Sequence, residues 1–553
     1  MTEAEPTATP GGKTPAGSGH RPAGSDPATD PATALATAGS GTPAAGPAPL
    51  GPDRTVAVVG TGTMGAGIAQ VALVAGHPVR LYDAVPGRAA EAAEGIAARL
   101  DRLVDKGRMA PADRDAARAR LAPAAAITEL ADAALVVEAV AEDAGVKRDL
   151  FTALEEVVAD DCLLATNTSS LSVTAVAGAL RRPGRFLGLH FFNPAPLLPL
   201  VEVVSGFATD AAAADRAQAT AAAWGKTPVR CTDTPGFIVN RVARPFYAEA
   251  FRVYEERAAG PATVDAVLRE SGGFRMGPFE LTDLIGQDVN EAVTHSVWES
   301  FFRDPKFTPS LAQRRLVQSG LHGRKSGRGW YDHGPEAERP APHTAPPCEA
   351  PAVIAVHGDL GPAAELCALI EEAGITVVRE GAPHAAGGFL ALPGGTRLAL
   401  TDGSAATTDD AGTYIKFDLA LDYRAAARVA LAPSERADPE AVAAAIGLFQ
   451  ALGKQVSVIA DVPGLIVART VAMLVDFAAD AVGRGVATAE DTDTAMRLGV
   501  NYPRGPLEWG EALGARWVRD VLRNLHRAHP TGRYAPSPYL LRRAAAEENL
   551  LES

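Results

Sequence analysis

The chain has 553 residues, 47% of them hydrophobic and 21% charged, with a formal net charge of −14. That length predicts several domains with proper cores, and the acidic balance argues against a nucleic-acid backbone as partner while leaving a local basic site for small anions open. Four scattered cysteines with no metal-ligand spacing, no apolar run of the ~18 residues a membrane span needs, and no signal pattern at the N-terminus predict a soluble cytoplasmic protein without a metal centre.

In chain order, residues 1–52 are nearly all Ala, Pro, Gly, Thr, Ser and Asp, with Leu35 and Leu50 the only large aliphatics beyond Met1. Such a segment cannot bury enough surface to offset its ordering entropy, so it is predicted to be a disordered tail. From Arg54 the texture changes. "TVAVVG" reads as a strand, a glycine-rich turn and a helix to Gly76 follow, and "PVRLYD" is a second strand. "ALVVEAVAED" and "CLLATNTSS" are further strands ending in polar residues. This order predicts a parallel α/β sheet, which places ligands beyond the carboxyl ends of its strands.

The run "GLHFFNPAPLLPLVEVV", Gly188 to Val204, is apolar or turn-forming apart from His190 and Glu202. Their spacing, with Asn193 and three prolines between, predicts a strand, a turn and a returning strand that sets the two side chains side by side. After Asp233 the pattern is helical. "EAERPAPHTAPPCEAP", from Glu336, is a Pro- and Ala-rich linker. Sliding the chain by 228 positions aligns "DTPGFIVNR" from Asp233 with "DVPGLIVAR" from Asp461, "GPFE" with "GPLE", and Gly286 with Gly514. That register predicts a duplicated helical domain, preceded by a degenerate strand–helix–strand from Val353. The expected organisation is a tail at 1–52, an NAD-binding Rossmann-type domain at 53–232, an all-α domain at 233–335, a linker at 336–351, a degenerate Rossmann-like α/β segment at 352–460, and a second helical copy at 461–553.

The glycine motif is Gly60, Gly62 and Gly65, with Thr63 and Met64 inside it. Following a strand and opening a helix, it predicts a dinucleotide site: Gly60 for the tight turn, Gly62 for backbone approach to the pyrophosphate, Gly65 for helix–strand packing. Asp83, ending the next strand, would accept from the ribose hydroxyls and repel a 2′-phosphate, which argues for NAD; its structural alternative is a strand-end cap. Oxidising an alcohol with NAD also requires removal of the hydroxyl proton. Histidine suits that task, its ordinary pKa of about 6.5 lying near operating pH, and a carboxylate on its other nitrogen would fix the tautomer. His190 and Glu202 are the candidates.

"NTSSL", "GLHFFNP", "LVEVV" and "DTPGFIVNR" behind this glycine loop resemble the L-3-hydroxyacyl-CoA dehydrogenases, over roughly Arg54 to Tyr331. The resemblance implies that His190 is the general base and Glu202 its partner, and that Ser169 and Asn240 bind the hydroxyl and thioester region of an acyl-CoA substrate. It further implies cofactor contacts at Asp83, Glu142, Lys147, Asn167, Ser169, Asn193 and Lys325. Four of these residues have a plainer alternative: a solvated helix lysine for Lys147, a turn residue for Asn193, caps for Ser169 and Asn240. The second half, with "DVPGLIVARTVAMLVDFAADAVGRGVA" and "DTAMRLGVNYPRGPLEWG", resembles the longer bacterial members of that family, which act on 3-hydroxyadipyl- or 3-hydroxybutyryl-CoA.

In the 228 register His190 falls on Asp418, Glu202 on Ala430, Asn193 on Leu421 and Asn240 on Ala468. None of the chemistry survives there, so one active site per chain is expected. Two other readings remain: a related dehydrogenase of a small hydroxy acid such as gulonate, and a non-catalytic NAD-binding scaffold. Arg99, Arg102 and Lys106 are either CoA-phosphate ligands or a solvated helix face, and homo-oligomerisation is left open.

Overall fold

The computed structural model describes residues 48–380, 387–408 and 414–552. The expected tail lies outside the described residues up to position 47, and its last residues correct the expectation. Leu50 is 3% exposed, and its N–H donates to Thr220 Oγ1. The single large aliphatic next to the first strand is enough to dock that end of the segment on the sheet's helical layer.

The first sheet contains β1 (Thr55–Val59), β2 (Val79–Tyr82), β3 (Leu121–Pro123), β4 (Ala133–Glu138), β5 (Leu163–Thr166), β6 (Phe186–Phe191), β7 (Leu200–Ser205) and β8 (Thr227–Thr232), in the spatial order β3-β2-β1-β4-β5-β6-β7-β8. Strands β1 to β6 run parallel and β7 reverses against β6. Continuous apolar runs such as that of β1, buried along its whole length, are what a sheet covered on both faces requires. Helices α1 (Thr63–Val74), α2 (Arg88–Asp105), α3 (Pro111–Ala119), α4 (Ala144–Val157), α5 (Val173–Ala177) and α6 (Ala211–Ala223) provide that cover.

The first helical region holds α7 (Val239–Val242), α8 (Arg244–Glu255), α9 (Pro261–Glu270), α10 (Pro278–Ile285), α11 (Gln287–Ser300) and α12 (Leu311–Gln318). The Pro-rich stretch that follows has no regular structure, yet it is strapped down. His343 N–H donates to Thr263 Oγ1, Ala345 N–H to the Val456 carbonyl, and Cys348 N–H to Gln450 Oε1.

A second sheet follows: β9 (Val353–His357), β10 (Thr376–Glu380), β11 (Phe389–Ala391), β12 (Arg397–Leu400), β13 (Tyr414–Phe417), β14 (Arg428–Pro433) and β15 (Gln455–Val458), ordered β10-β9-β11-β12-β13-β14-β15 among the described residues. With α13 (Leu366–Glu372) crossing over, β9 and β10 are parallel. Helix α14 (Pro439–Ala451) leads to β15, and α15 (Val467–Gly483), α16 (Ala489–Gly499), α17 (Pro506–Leu513), α18 (Ala515–Ala528) and α19 (Pro538–Ala546) complete the chain.

The 228-residue register is physical. Gly236 and Gly464 have φ of 76° and 72°, and the residues after them, Phe237 and Leu465, 50° and 49°. Asp265 accepts the N–H groups of Phe279 and Glu280, and Asp493 accepts those of Leu507 and Glu508. At Gly277 and Gly505 a Cβ would collide with those same aspartates, so glycine is required at both. The two helical regions pack on each other through α8 and α15. α15 is buried on nearly every face, as its apolar sequence demands. Duplicated arginines cross between the two. Arg241 pairs with Asp480 at 2.7 Å, and Arg469 with Glu256 at 2.7 Å.

Candidate active site

The glycine loop does what its sequence predicts. Gly60 has φ +90°, and a Cβ there would meet the Ala139 carbonyl at 2.6 Å. A Cβ on Gly65 would lie 1.8 Å from the Gly60 carbonyl oxygen, so the helix can approach the strand only with glycine. Gly62 faces open space, and Thr63 and Met64 form the first turn of α1. This uncovered backbone borders a cavity of about 450 Å³ lined by Thr61, Gly62, Thr63 and Arg88 among others, which suits a pyrophosphate at the start of α1.

Asp83 closes the loop from β2. Its Oδ2 accepts from the Thr61 N–H at 3.0 Å and hydroxyl at 2.7 Å, and its Oδ1 from the Val85 N–H. Burial raises its pKa, but the bonds from Thr61 and Val85 outweigh that and hold it below the usual carboxylate range. Capping and ribose recognition are therefore compatible: Oδ1 keeps a lone pair for a hydroxyl.

β6 and β7 pair His190 directly with Glu202. His190 Nδ1 stands 2.6 Å from Glu202 Oε2, and Glu202 Oε1 accepts the N–H groups of Ile238 and Val239 at 3.0 and 2.9 Å. Glu202 is fully buried and fully bonded, so it holds the imidazole by Nδ1 and aims Nε2 at the cleft. The imidazole packs against Phe192 and Phe237. A cavity of about 380 Å³ opens before it, lined by Met64, Val140, Glu142, Asn167, Ser169, Asn193 and Asn240 with His190 itself.

Glu142 organises the loop that carries Ser169. Its Oε1 accepts from the Thr168 hydroxyl at 2.5 Å, from the Ser169 and Ser170 N–H groups, and from the Ser170 hydroxyl. Burial raises its pKa, and Thr168, Lys147 and Ser170 together bring it below the ordinary value. Asn240 comes from the helical side, its Nδ2 donating to the Ser169 carbonyl at 3.4 Å. Asn167 Oδ1 accepts the Phe191 N–H and steadies the end of β6.

Lys147 and Lys325, both sequence-derived candidates, sit apart from the wall of this cavity. Lys147 is 1% exposed and lies between Glu138 at 2.6 Å and Glu142 at 3.3 Å, acting on the site through Glu142. Lys325 pairs with Asp288 in the helical region and does not line the cavity. Sequence reasoning passed over Glu138, which binds Lys147, Thr166 Oγ1 and the Val140 N–H. A carboxylate ending an otherwise apolar parallel strand was the available signal.

A glycine loop at the head of a parallel sheet, with a carboxylate-held histidine facing the same cleft, defines an NAD-dependent dehydrogenase of alcohols. The comparisons narrow this. Residues 55–234 match the 3-hydroxyacyl-CoA dehydrogenase NAD binding domain, residues 236–333 and 464–551 the 3-hydroxyacyl-CoA dehydrogenase C-terminal domain, and residues 398–463 the 3-hydroxybutyryl-CoA dehydrogenase reduced Rossmann-fold domain. The chain belongs to the 3-hydroxyacyl-CoA dehydrogenase family, and its cofactor is NAD. It is 44% identical to the 3-hydroxyadipyl-CoA dehydrogenase of Escherichia coli K12, over 89% of this chain and 98% of that protein. It is 40% identical to a 3-hydroxybutyryl-CoA dehydrogenase of Mycobacterium tuberculosis, over 50% of this chain and 98% of that one. A crystal structure of a 3-hydroxybutyryl-CoA dehydrogenase from Escherichia coli K12 superposes with a TM-score of 0.81 at 43% identity, covering 90% of this chain and 99% of that one. No helix among the described residues is long and apolar enough to cross a membrane.

Proposed function

We propose that the chain oxidises a short-chain or dicarboxylic (3S)-3-hydroxyacyl-CoA to the 3-oxoacyl-CoA, and that His190, Glu202, Ser169 and Asn240 are the residues that do it. The observation that carries this reading is the 2.6 Å His190–Glu202 contact facing a cavity that Ser169 and Asn240 also line. The glycine loop and Asp83 would hold NAD, which would supply the acceptor for the hydride leaving C3. His190 Nε2 takes the proton of the C3 hydroxyl while Nδ1–H stays bonded to the Glu202 carboxylate, whose negative charge, preorganised by two backbone N–H groups, stabilises the imidazolium that forms. Ser169 and Asn240, which line the same cavity, would orient the oxygens at C3 and the thioester, and Glu142 and Asn193 would hold the reacting end of the cofactor.

A CoA substrate is supported by a second cavity of about 460 Å³, which shares Asn193 with the first and is lined by Arg99, Arg102, Lys106 and Arg108. Burial, and then repulsion from Arg102, lowers the pKa of Arg99, as expected where cations gather to receive an anion. A small hydroxy acid such as gulonate has no phosphates to use them. The four free cysteines support a reducing, cytoplasmic home, and the internal pairing of α8 with α15 supports a chain that supplies both halves of its own helical platform. NADH oxidation with acetoacetyl-CoA and with 3-oxoadipyl-CoA, set beside NAD reduction with gulonate, tests the proposal. Turnover of the thioesters is expected; turnover of gulonate alone would overturn it.

A further inference from the structure

Six arginines of the described residues are buried: Arg185, Arg241, Arg244, Arg428, Arg469 and Arg533. Five have a carboxylate within 4 Å, namely Glu155, Asp480, Glu270, Glu256 and Glu249 in that order. Arg244 has none. It is 7% exposed, its Nε has no partner, Nη1 donates to Thr294 Oγ1 at 3.0 Å, and Nη2 makes only a long 3.4 Å contact with Asn240 Oδ1. Burial lowers its pKa, and the phenols of Tyr247 and Tyr502 are its electrostatic neighbours. Burying a guanidinium without an anion is costly; Arg185 and Arg469 also keep unbonded nitrogens, but each has a carboxylate beside it, whereas Arg244 has only the Tyr247 ring, 5.2 Å from its Cζ, to offset its charge.

Its position explains what the donors are for. α7 and α8 follow each other through Ala243, itself helical, so Asn240 and Arg244 stand one turn apart on one face. Asn240 lines the catalytic cavity. A group about 6 Å further along the helix suits an anion a few carbon–carbon bonds beyond C3 of a bound acyl chain. The second orphan at this place is the Tyr502 hydroxyl, buried and without a partner. Tyr502 belongs to the second helical copy, packs on Phe246 and Phe274, and takes the place that Phe274 holds in the first copy's register. Only the second copy carries the hydroxyl.

We propose that Arg244, with the Tyr502 hydroxyl, binds a carboxylate at the far end of the substrate's acyl chain, so that the chain is selective for dicarboxylic acyl thioesters and the catalytically silent half supplies part of the specificity. A planar guanidinium recognises a carboxylate bidentately, and an apolar surround strengthens the pair. This rests on the 3-hydroxyacyl-CoA dehydrogenase reading above.

The test is the ratio of kcat/KM for 3-oxoadipyl-CoA to that for acetoacetyl-CoA, measured on the full chain and on Arg244→Met, Arg244→Lys and Tyr502→Phe. The unsubstituted chain should favour the diacid. Arg244→Met should lower the ratio about 100-fold, chiefly through KM for the diacid, with Lys recovering part of it. Tyr502→Phe should lower it by about 5–10-fold. An unsubstituted chain without that preference, or an equal loss on both thioesters, overturns the proposal. Should Arg244→Met not fold, an unmoved ratio in both Arg244→Lys and Tyr502→Phe overturns it just as well. An unsubstituted chain inert to both thioesters would instead sink the activity itself.

Discussion

In the first half of the molecule β6 carries His190 and β7 carries Glu202. In the second half Asp418 directly follows β13 and β14 carries Ala430, and the Asp418 N–H is bonded to the Ala430 carbonyl. Glu202 accepts the N–H groups of Ile238 and Val239, and Asp418 those of Ile466 and Val467, the same positions 228 residues on, together with that of Ala468. A carboxylate docks the next helix in both halves, but from neighbouring strands. Where the carboxylate sits on β7, one oxygen is left for a histidine on β6. Where it takes the histidine's own place, the docking survives and the chemistry is gone. Helix docking and catalysis are therefore separable tasks of one buried acid.

The largest effect should come from copying the second half into the first. The double variant His190→Asp, Glu202→Ala is expected to fold with a melting temperature near that of the parent while turnover falls about 10⁴-fold. A collapse of the fold would show that the halves are not interchangeable. Next comes Glu202→Gln, which keeps an acceptor for the helix N–H groups but offers an amide to His190 Nδ1, favouring the wrong tautomer. We expect a loss of about 10³-fold in kcat with the NAD dissociation constant unchanged by calorimetry. Neutralising Arg102 or Lys106 to Gln should raise KM for acyl-CoA about 10-fold with little change in kcat; an unchanged KM would return them to a solvated helix face.

The smallest effect concerns Asp418. Replacing it with Ala should lower stability by about 1–3 kcal/mol in denaturant unfolding and leave turnover unaltered. Burial, against four backbone N–H donors, pushes the Asp418 carboxyl up to about 6. A raised folded pKa means that its contribution is fully present below the unfolded value of about 3.9 and is lost as pH rises through about 6. Asp418→Asn, which does not titrate, should therefore gain on the parent across that window; parallel stability curves from pH 4 to 7 would contradict this.

The parts legible in the sequence were those set by local spacing. The glycine motif between a strand and a helix fixed the cofactor loop, and the twelve residues from His190 to Glu202, with prolines between them, fixed a paired hairpin. The ungapped 228-residue register carried over to turn angles and caps. What stayed illegible depends on surfaces that meet only in the folded chain. A lysine on α4 gives no sign that it will be sealed between Glu138 and Glu142. Nor does a tyrosine in the second copy reveal that it will stand beside an arginine 258 positions earlier, because that meeting follows from how the two helical regions pack. Leu50 looked like part of a featureless tail, since one buried side chain leaves no periodic pattern.

The most direct test is a crystal structure of the chain with NAD and a 3-oxoacyl-CoA. The account predicts the nicotinamide ring in the cavity bounded by Ser169, His190 and Asn240, with His190 Nε2 within hydrogen-bond distance of the oxygen on C3 and no dinucleotide in the second half. A C3 oxygen directed away from His190, or an NAD molecule bound near Asp418, would contradict it.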